Sequence, residues 1–210
     1  MIKGLIFDLG GVVVEWTNST TYRYIEEKYG IPAESFKSVA ERGMPDAQTG
    51  KIAEADWMRE TFSRFGPPPP CFDEVWGKTF EAARYNPKLL ELLTELRTAG
   101  YRLAALSNLE SSRARWLREH GIEALFDAVV FSCEVGLRKP DMSKCTPENL
   151  EIYRLALRRL GLGADECLFV DDNVNCVSAA ESMGIRSIKF ENVEQLRKEL
   201  PTWGVTIQKV

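Results

Sequence analysis

The sequence has no excess of positive charge and no long apolar run. Its 27 lysines and arginines are outnumbered by 31 aspartates and glutamates, so the net charge is −4. Proteins that bind nucleic acid or an anionic membrane need a basic surplus, and we therefore expect neither partner. The first apolar stretch is interrupted by Asp8 and Glu15, and no run approaches the ~20 residues of a transmembrane helix. We also expect no signal peptide, because the N-terminus lacks the pattern of one.

Patterns that would indicate a disulfide, a zinc site or a serine hydrolase are missing as well. The five cysteines are odd in number, and none forms a Cys-x-x-Cys pair. This usage fits reduced thiols in a cytoplasmic protein best. The single histidine, His120, precedes Gly121 at the end of a predicted helix, where a cation is favourable and a glycine cap is common. There is no Gly-x-Ser-x-Gly segment to support a Ser-His-Asp triad.

The order of apolar runs predicts an α/β fold. From Pro87 onward, short runs typical of buried strands alternate with helical patterns, which predicts a parallel sheet with right-handed crossovers. Residues 15–86 are mostly helical in pattern and contain no strand candidate. We therefore predict a Rossmann-like three-layer parallel-sheet core of residues 1–14 and 87–210. A small helical cap domain, residues 15–86, would be inserted after the first strand and cover the strand ends.

Several local features refine this picture. Residues 73–84 have a helical pattern, and residues 142–149 form a polar stretch with a proline that is typical of a surface loop. No function follows for the segment 141–149. Most aromatic residues of the cap are expected to form its own small core, whereas Trp16 and Tyr22 lie nearer the expected mouth and are candidates to face a substrate.

Polar side chains stand just after apolar strands at four places. They are Asp8, Ser107–Asn108, Arg138–Lys139–Pro140 and Asp171–Asp172. Because the carboxyl ends of parallel strands share one edge of a sheet, we expect these groups to meet there. Carboxylates with an open position favour Mg²⁺, whereas a hydroxyl, an amide and an ammonium can hold phosphate oxygens. A free carboxylate can attack phosphorus and form an acyl-phosphate.

At these four places the chain resembles the haloacid dehalogenase-like hydrolase superfamily, in the subfamily with a small helical cap after the first motif. The resemblance covers the whole chain, and the motifs occur in the family's order. They are Phe7–Val12, Leu106–Asn108, Gly136–Asp141 and Phe169–Asn173. The form of the first motif is similar to that of bacterial phosphatases of the alpha-D-glucose-1-phosphate type.

The resemblance implies a role for each residue of a magnesium-dependent phosphatase. Asp8 would be the nucleophile and a Mg²⁺ ligand, and the backbone carbonyl of Gly10 would be a second ligand. Asp172 would be the principal ligand of the acidic motif, with Asp171 bound directly or through water.

The resemblance also implies a phosphate site. It would comprise Gly10, Gly11, Ser107, Asn108 and Lys139, and Lys139 would also stabilise the nucleophile. The implied substrate is a small phosphorylated metabolite, with a sugar 1-phosphate as one candidate.

One position departs from the family pattern. A second aspartate, the general acid and base, normally stands two residues after the nucleophile, and here that residue is Gly10. An anomeric oxygen leaves more readily than an ordinary alkoxide, so the loss of the acid costs less for a sugar 1-phosphate. Water or a cap carboxylate such as Glu15 would otherwise have to deliver the proton.

Two other functions stay open at the level of sequence. A 2-haloacid dehalogenase would also use Asp8, but such enzymes need no metal and typically carry serines where this chain has Asp171–Asp172. They also carry a cap arginine that Arg23 matches poorly. The glycine at position 10 leaves open a catalytically weak regulatory or binding protein. The sequence does not indicate an oligomeric state.

Overall fold

A computed structural model describes residues 1–140 and 146–207. Strands and helices alternate after residue 86, as predicted. The strands are β1 (Gly4–Phe7), β2 (Val14–Glu15), β3 (Arg84–Tyr85), β4 (Arg102–Ser107), β5 (Ala128–Phe131), β6 (Cys167–Asp171) and β7 (Arg186–Lys189). The helices are α1 (Asn18–Tyr29), α2 (Ala33–Gln48), α3 (Glu54–Ser63), α4 (Asp73–Phe80), α5 (Pro87–Thr98), α6 (Ser111–Glu119), α7 (Ile122–Leu125), α8 (Ser132–Val135), α9 (Pro147–Leu160), α10 (Val174–Glu181) and α11 (Val193–Glu199). Short 3₁₀ helices span Ala164–Glu166 and Leu200–Trp203.

The main sheet is parallel and has the order β5-β4-β1-β6-β7. The central strand β1 buries both faces, because successive residues of a strand point to opposite sides. Leu5 and Phe7 pack in one cluster with leucines of α5 and with α6 and α11. Ile6 packs in a second cluster with α9 and α10. The predicted three-layer α/β core is therefore confirmed.

The helices α1 to α4 have a hydrophobic cluster of their own. Phe36, Trp57, Phe62 and Phe72 are buried in it, and the ring of Phe62 contacts those of Phe36 and Phe72, with centroids 4.8 and 5.8 Å apart. The cap aromatics are thus mainly packing residues. The division of the chain after residues 14 and 86 stays a prediction.

The antiparallel pair β2–β3 joins these helices to the core, and it was not predicted. Val14 pairs with Tyr85 and Glu15 with Arg84, while the N–H of Asn86 donates to the carbonyl of Val13. The helix predicted to reach residue 84 therefore ends at Phe80, because the chain must extend to pair with β2. The expectation that residues 15–86 contain no strand is wrong at both ends of that segment.

Other predictions differ from the structure at the ends of elements. Of the predicted loop 142–149, residues 142–145 lie outside the described residues, and α9 already begins at Pro147. The short helices α7 and α8 were not predicted, since each has only four residues. Within the described part of the chain, no helix is long and apolar enough to span a membrane.

Candidate active site

Asp8 lies directly beyond β1 at the carboxyl edge of the sheet. Its backbone N–H still donates to the carbonyl of Val170 in β6, at 2.8 Å, so the strand geometry fixes where the side chain begins. The chain then turns at once, because the N–H groups of residues 12–14 all bond to the carbonyl of Leu9. Asp8 is only 7% exposed. A carboxylate is thus held at the edge of the core.

Lys139 joins Asp8 to the carboxylate at the end of β6. Its Nζ lies 2.6 Å from Oδ1 of Asp8 and 2.6 Å from Oδ2 of Asp171. Both Lys139 and Asp171 are almost fully buried. Burial by itself would lower the pKa of Lys139, but the carboxylates of Asp171 and Asp8 outweigh it and hold that pKa well above its usual range. The ammonium therefore stays charged and offsets the two carboxylates.

Asn108 holds the backbone of Lys139 through two hydrogen bonds. Its Oδ1 accepts from the N–H of Lys139 at 2.7 Å, and its Nδ2 donates to the carbonyl of Lys139 at 2.8 Å. The side chain of Asn108 therefore positions the lysine, and the binding of phosphate by the amide near Asn108 stays a prediction. Ser107, at the end of β4, is buried and contributes to the same site.

The third carboxylate, Asp172, faces the turn after β1. A Cβ on Gly11 would lie 2.6 Å from Oδ2 of Asp172, and Gly11 has φ +77°, so a glycine is required there on both counts. One oxygen from each of Asp8, Asp171 and Asp172 lies within 4.8 Å of the others. Three carboxylate oxygens at this separation can hold a metal ion, and hard cations prefer such ligands.

The environment raises the pKa of both acidic-motif carboxyls. For Asp171 the main cause is burial, which outweighs the opposing ammonium of Lys139, and Asp8 raises its pKa further. For Asp172 the causes are again burial and then Asp8. Asp171 is buried, whereas Asp172 is exposed as a residue and only its carboxyl is partly enclosed. Carboxylates that repel one another in this way are stabilised by a nearby cation.

A cleft of about 170 Å³ opens over these groups. All the residues predicted for the site line this cleft except Gly11, which lies beside Asp172. Sequence reasoning missed Gln48 and Cys176, and it named Asn173 as the end of the fourth motif without a role. Of the two aromatic residues expected near the mouth, Trp16 lines the cleft and Tyr22 does not. The cleft is lined by Asp8, Gly10, Trp16, Gln48, Ser107, Asn108, Lys139, Asp171, Asp172, Asn173 and Cys176.

Gln48 reaches the cleft from the C-terminal end of α2. Its Nε2 donates to Oε1 of Glu110 at 3.0 Å, and its Oε1 accepts from Nη2 of Arg138 at 3.0 Å. No local pattern in the sequence marks this residue, because its position depends on how the helices of residues 18–80 pack over the sheet. Glu110 and Arg138 thus hold a side chain of α2 at the cleft.

Glu54, at the start of α3, makes a second contact between the helices α1 to α4 and the rest of the chain. Its carboxylate accepts from the backbone N–H of Ser112 at 2.7 Å and from the hydroxyls of Ser112 and Ser111 at 2.6 and 2.8 Å. These groups form the first turn of α6, which favours a negative charge. Burial nonetheless raises the pKa of Glu54, against the lowering effect of these hydrogen bonds.

Three other residues considered in the sequence lie elsewhere. Glu15 forms a 2.9 Å ion pair with Arg84 and does not line the cleft. Arg23 instead lines a separate groove formed by residues of α1 and α2. His120 follows the end of α6, where it stacks on Trp116 with ring centroids 4.0 Å apart and its Nδ1 lies 2.7 Å from the Trp116 carbonyl. Its predicted place at a helix C-terminus is correct.

Comparison with known proteins identifies the family of this chain. A family model described as haloacid dehalogenase-like hydrolase matches residues 2–184. The chain belongs to the haloacid dehalogenase-like hydrolase family. The predicted superfamily and the assignment as a hydrolase are therefore confirmed, whereas membership of the glucose-1-phosphate group stays a prediction.

Several relatives carry phosphatase names. The "Sesquiterpene phosphatase astK" of Aspergillus oryzae is 28% identical over 186 residues, with 87% of each chain covered. The "Phosphorylated carbohydrates phosphatase" of Thermotoga maritima is 28% identical over 191 residues, covering 89% of this chain and 84% of the relative. Some curated relatives are longer, and the chain spans 36% and 38% of the length of two of them.

Solved structures agree with the fold. A HAD family enzyme of Bacteroides thetaiotaomicron, solved in complex with magnesium and inorganic phosphate, superimposes with a TM-score of 0.72. The two chains are 21% identical, and the match covers 93% of this chain and 99% of the other. At this identity the likeness shows a common fold.

Proposed function

We propose that the protein is a magnesium-dependent phosphatase that hydrolyses a small phosphorylated metabolite through an aspartyl-phosphate on Asp8. The observation that carries this proposal is the grouping of one buried ammonium and three carboxylates in a single cleft. Two relatives that match most of this chain are named as phosphatases, which supports the same reaction.

The donor set fits Mg²⁺. Asp8, Asp171 and Asp172 offer hard oxygen ligands close to one another, and the backbone carbonyl of Gly10 is a further candidate at the same edge. A bound Mg²⁺ would neutralise negative charge on the phosphoryl oxygens and on the carboxylates. Burial is the main reason that the pKa of Asp171 and of Asp172 is raised, and the neighbouring Asp8 raises both further, so a cation would offset part of this cost.

The residues of the chain have distinct tasks in the proposed reaction. Lys139 holds the carboxylate of Asp8 in place, and its ammonium attracts the phosphoryl group. An oxygen of Asp8 forms a bond to phosphorus while the bond from phosphorus to the leaving oxygen breaks. Water then attacks phosphorus, which releases inorganic phosphate and the free carboxylate of Asp8. The hydroxyl of Ser107 is placed in the cleft to donate to a phosphate oxygen.

The size of the cleft supports a small substrate. A volume of about 170 Å³ accommodates a phosphoryl group and a compact organic part beneath the cap. We propose that residues 15–86 act as the cap domain that selects this part, with Gln48 and Trp16 as its contacts nearest the phosphate. A sugar 1-phosphate is our first candidate, and we place the enzyme in the cytoplasm because its usage of cysteine fits reduced thiols.

The 2-haloacid dehalogenase alternative is less well supported. It uses an ionised Asp8 but needs no metal, so nothing in its chemistry calls for a second and a third carboxylate beside the nucleophile. A regulatory protein would bind phosphate without turnover. Both alternatives are outcomes of the experiment that tests the phosphatase.

That experiment measures phosphate release from a panel of small phosphate esters, with Mg²⁺ and with excess chelator. We expect release that requires Mg²⁺ and is lost in Asp8→Asn and in Asp8→Ala, where alanine guards against slow deamidation of asparagine. Asp73→Asn, at an exposed helix start outside the cleft, is the matched control. Halide release from a 2-haloacid in the presence of chelator, or phosphate binding without turnover, would overturn the proposal in favour of the corresponding alternative.

A further inference from the structure

The indole of Trp16 fills the space beside Asp8 that a side chain at position 10 would occupy. A Cβ built on Gly10 would lie 3.0 Å from Nε1 of Trp16, with Cε2 and Cζ2 next at 3.7 and 3.9 Å. The edge of the ring that carries the N–H group is thus turned toward residue 10, two positions after the nucleophile. Trp16 also lines the cleft, and its N–H has no hydrogen-bond partner within residues 1–140 and 146–207.

The ring is held in this place by the core. The guanidinium of Arg113 lies 5.1 Å from the ring centroid of Trp16, and Trp116 meets the same ring edge-on at 6.2 Å. Arg113 is itself fixed, because it pairs with Glu110 at 3.3 Å and donates to Oδ1 of Asn18. Cation–π and edge-to-face contacts of this kind hold an aromatic ring in one orientation. The indole N–H is therefore a preorganised donor.

The leaving oxygen of a substrate should point toward this donor. In-line displacement places the leaving oxygen opposite the attacking oxygen of Asp8. Asp8 follows the end of β1, and the N–H edge of Trp16 occupies the position beside residue 10 where the family resemblance implies the general acid, so we assign the leaving oxygen to the side of Trp16. The amide of Gln48 is already bonded to Glu110 and Arg138. The N–H of Trp16, by contrast, has no partner among the described residues and is a donor available on that side.

We propose that Nε1–H of Trp16 donates a hydrogen bond to the leaving oxygen, and that the enzyme consequently prefers esters whose leaving group departs without a proton donor. An indole N–H donates a hydrogen bond but does not release its proton. The preferred substrates are therefore esters of an anomeric, enolic or aryl oxygen rather than of a simple alcohol. This inference rests on the proposed phosphatase activity.

Bonds and protons balance over the two steps of the proposed reaction. The Asp8 oxygen bonds to phosphorus, and the electron pair of the broken bond stays on the leaving oxygen. That oxygen accepts the hydrogen bond from Trp16 and takes its proton from water. A second water then cleaves the aspartyl-phosphate, and the proton that it releases neutralises the hydroxide left by the first. The net reaction therefore consumes one water per ester and yields the alcohol and inorganic phosphate.

The test measures kcat/KM with Mg²⁺ for a series of phosphate monoesters of similar size, from strongly acidic phenols to simple alcohols as leaving groups. We use kcat/KM because it reports the departure of the leaving group even when hydrolysis of the aspartyl-phosphate limits kcat. We expect the poorest leaving groups to react about 10²- to 10⁴-fold more slowly than the best, which is the range that a positioned acid would recover.

The variant Trp16→Phe keeps the ring and removes the N–H. We expect kcat/KM to fall about 10- to 100-fold for the poorest leaving groups, the worth of one hydrogen bond to a developing charge, and much less for the best. The matched control is Trp203→Phe, at a partly exposed tryptophan outside the cleft, which should leave the dependence unchanged.

Each outcome decides a separate question. A wild-type kcat/KM that does not vary with the acidity of the leaving group would overturn this inference while leaving the phosphatase proposal intact. A Trp16→Phe variant that loses the same factor on every ester would overturn the role of the N–H. If no ester releases phosphate, the proposed function fails first, and this inference fails with it.

Discussion

The side chain of Asn108 bonds to both backbone groups of Lys139, accepting from its N–H at 2.7 Å and donating to its carbonyl at 2.8 Å. Asn108 follows β4, whereas Lys139 comes from a segment beyond β5, so this pair fixes one strand end relative to another. The lysine can then reach both Asp8 and Asp171. Asn108 is thus a positioning residue for the central ammonium.

We expect Asn108→Ala to lower kcat about 10- to 100-fold, because the loss of both hydrogen bonds lets Lys139 move from the carboxylates. KM should change less, since Asn108 acts through the lysine. Steady-state kinetics with Mg²⁺ checks this prediction. Asn86→Ala is a suitable control, because Asn86 caps α5 outside the cleft and should affect stability but not kcat. An unchanged kcat in Asn108→Ala would contradict the positioning role.

Replacing the buried ammonium should destabilise the fold strongly. Lys139→Met keeps the length of the side chain but leaves the buried carboxylates of Asp8 and Asp171 without the ammonium that offsets their charge, which costs about 3–5 kcal/mol. We expect the loss in the free energy of unfolding to be smaller at low pH, where protonated carboxyls are cheaper to bury. Urea denaturation at several pH values without Mg²⁺ measures it.

The double variant Lys139→Met/Asp171→Asn serves as the control for that experiment. It removes one of the two carboxylates together with the lysine, so part of the lost stability should return. If Lys139→Met is as stable as the wild type near neutral pH, the ion pairs of Lys139 with Asp8 and Asp171 do not offset the cost of burying these carboxylates, which contradicts the prediction.

Magnesium should stabilise the folded protein through the three carboxylates. At a free concentration of about 100 times Kd, a ligand of the folded state adds about 2.7 kcal/mol, which corresponds to a rise in Tm of about 5–10 °C for a chain of this size. We expect this rise in the wild type and in Asp165→Asn, an exposed control site, but not in Asp172→Asn. Thermal melts with and without chelator provide the measurement, and an equal rise in Asp172→Asn would rule out the proposed ligand.

Glu54 should make the stability depend on pH. Burial raises its pKa in the folded protein above the ordinary value of 4.5. A raised carboxyl pKa contributes stability that is fully present below that ordinary value and is lost as the pH rises through the folded pKa. Relative to Glu54→Gln, the wild type should therefore lose free energy of unfolding across this window and change no further above it.

Urea denaturation of both proteins across the acid range measures that difference. Glu27→Gln, at an exposed position on α1, controls for the loss of one negative charge. A wild type that gains stability relative to Glu54→Gln as the pH rises would show that the helix start and the serine hydroxyls outweigh burial.

The core of the site could be predicted because it depends on local pattern. Asp8 and Asp171–Asp172 follow apolar strands, and parallel strands end at a common edge, so their meeting follows from the topology alone. The reciprocal bonds between Asn108 and Lys139 could not be predicted in this way. They depend on the path of two loops, and an asparagine after a strand is as often a turn or a helix cap.

The contributions of the cap were harder to foresee. Gln48 lies on a helix with no distinguishing pattern, and it reaches the cleft because Glu110 and Arg138 hold it there. The pair β2–β3 comprises strands of two residues, too short for the alternation of apolar and polar residues that indicates a strand. Both features arise from packing between parts of the chain that are distant in sequence.

The covalent intermediate tests the central claim most directly. The protein is mixed with a rapidly reacting phosphate ester and Mg²⁺, quenched in acid within the first turnover, and digested for mass spectrometry. We predict one phosphoryl group on the peptide that contains Asp8, absent in Asp8→Ala and absent when chelator precedes the ester. Turnover without that adduct, or an adduct on another residue, would contradict the assignment of Asp8 as the nucleophile.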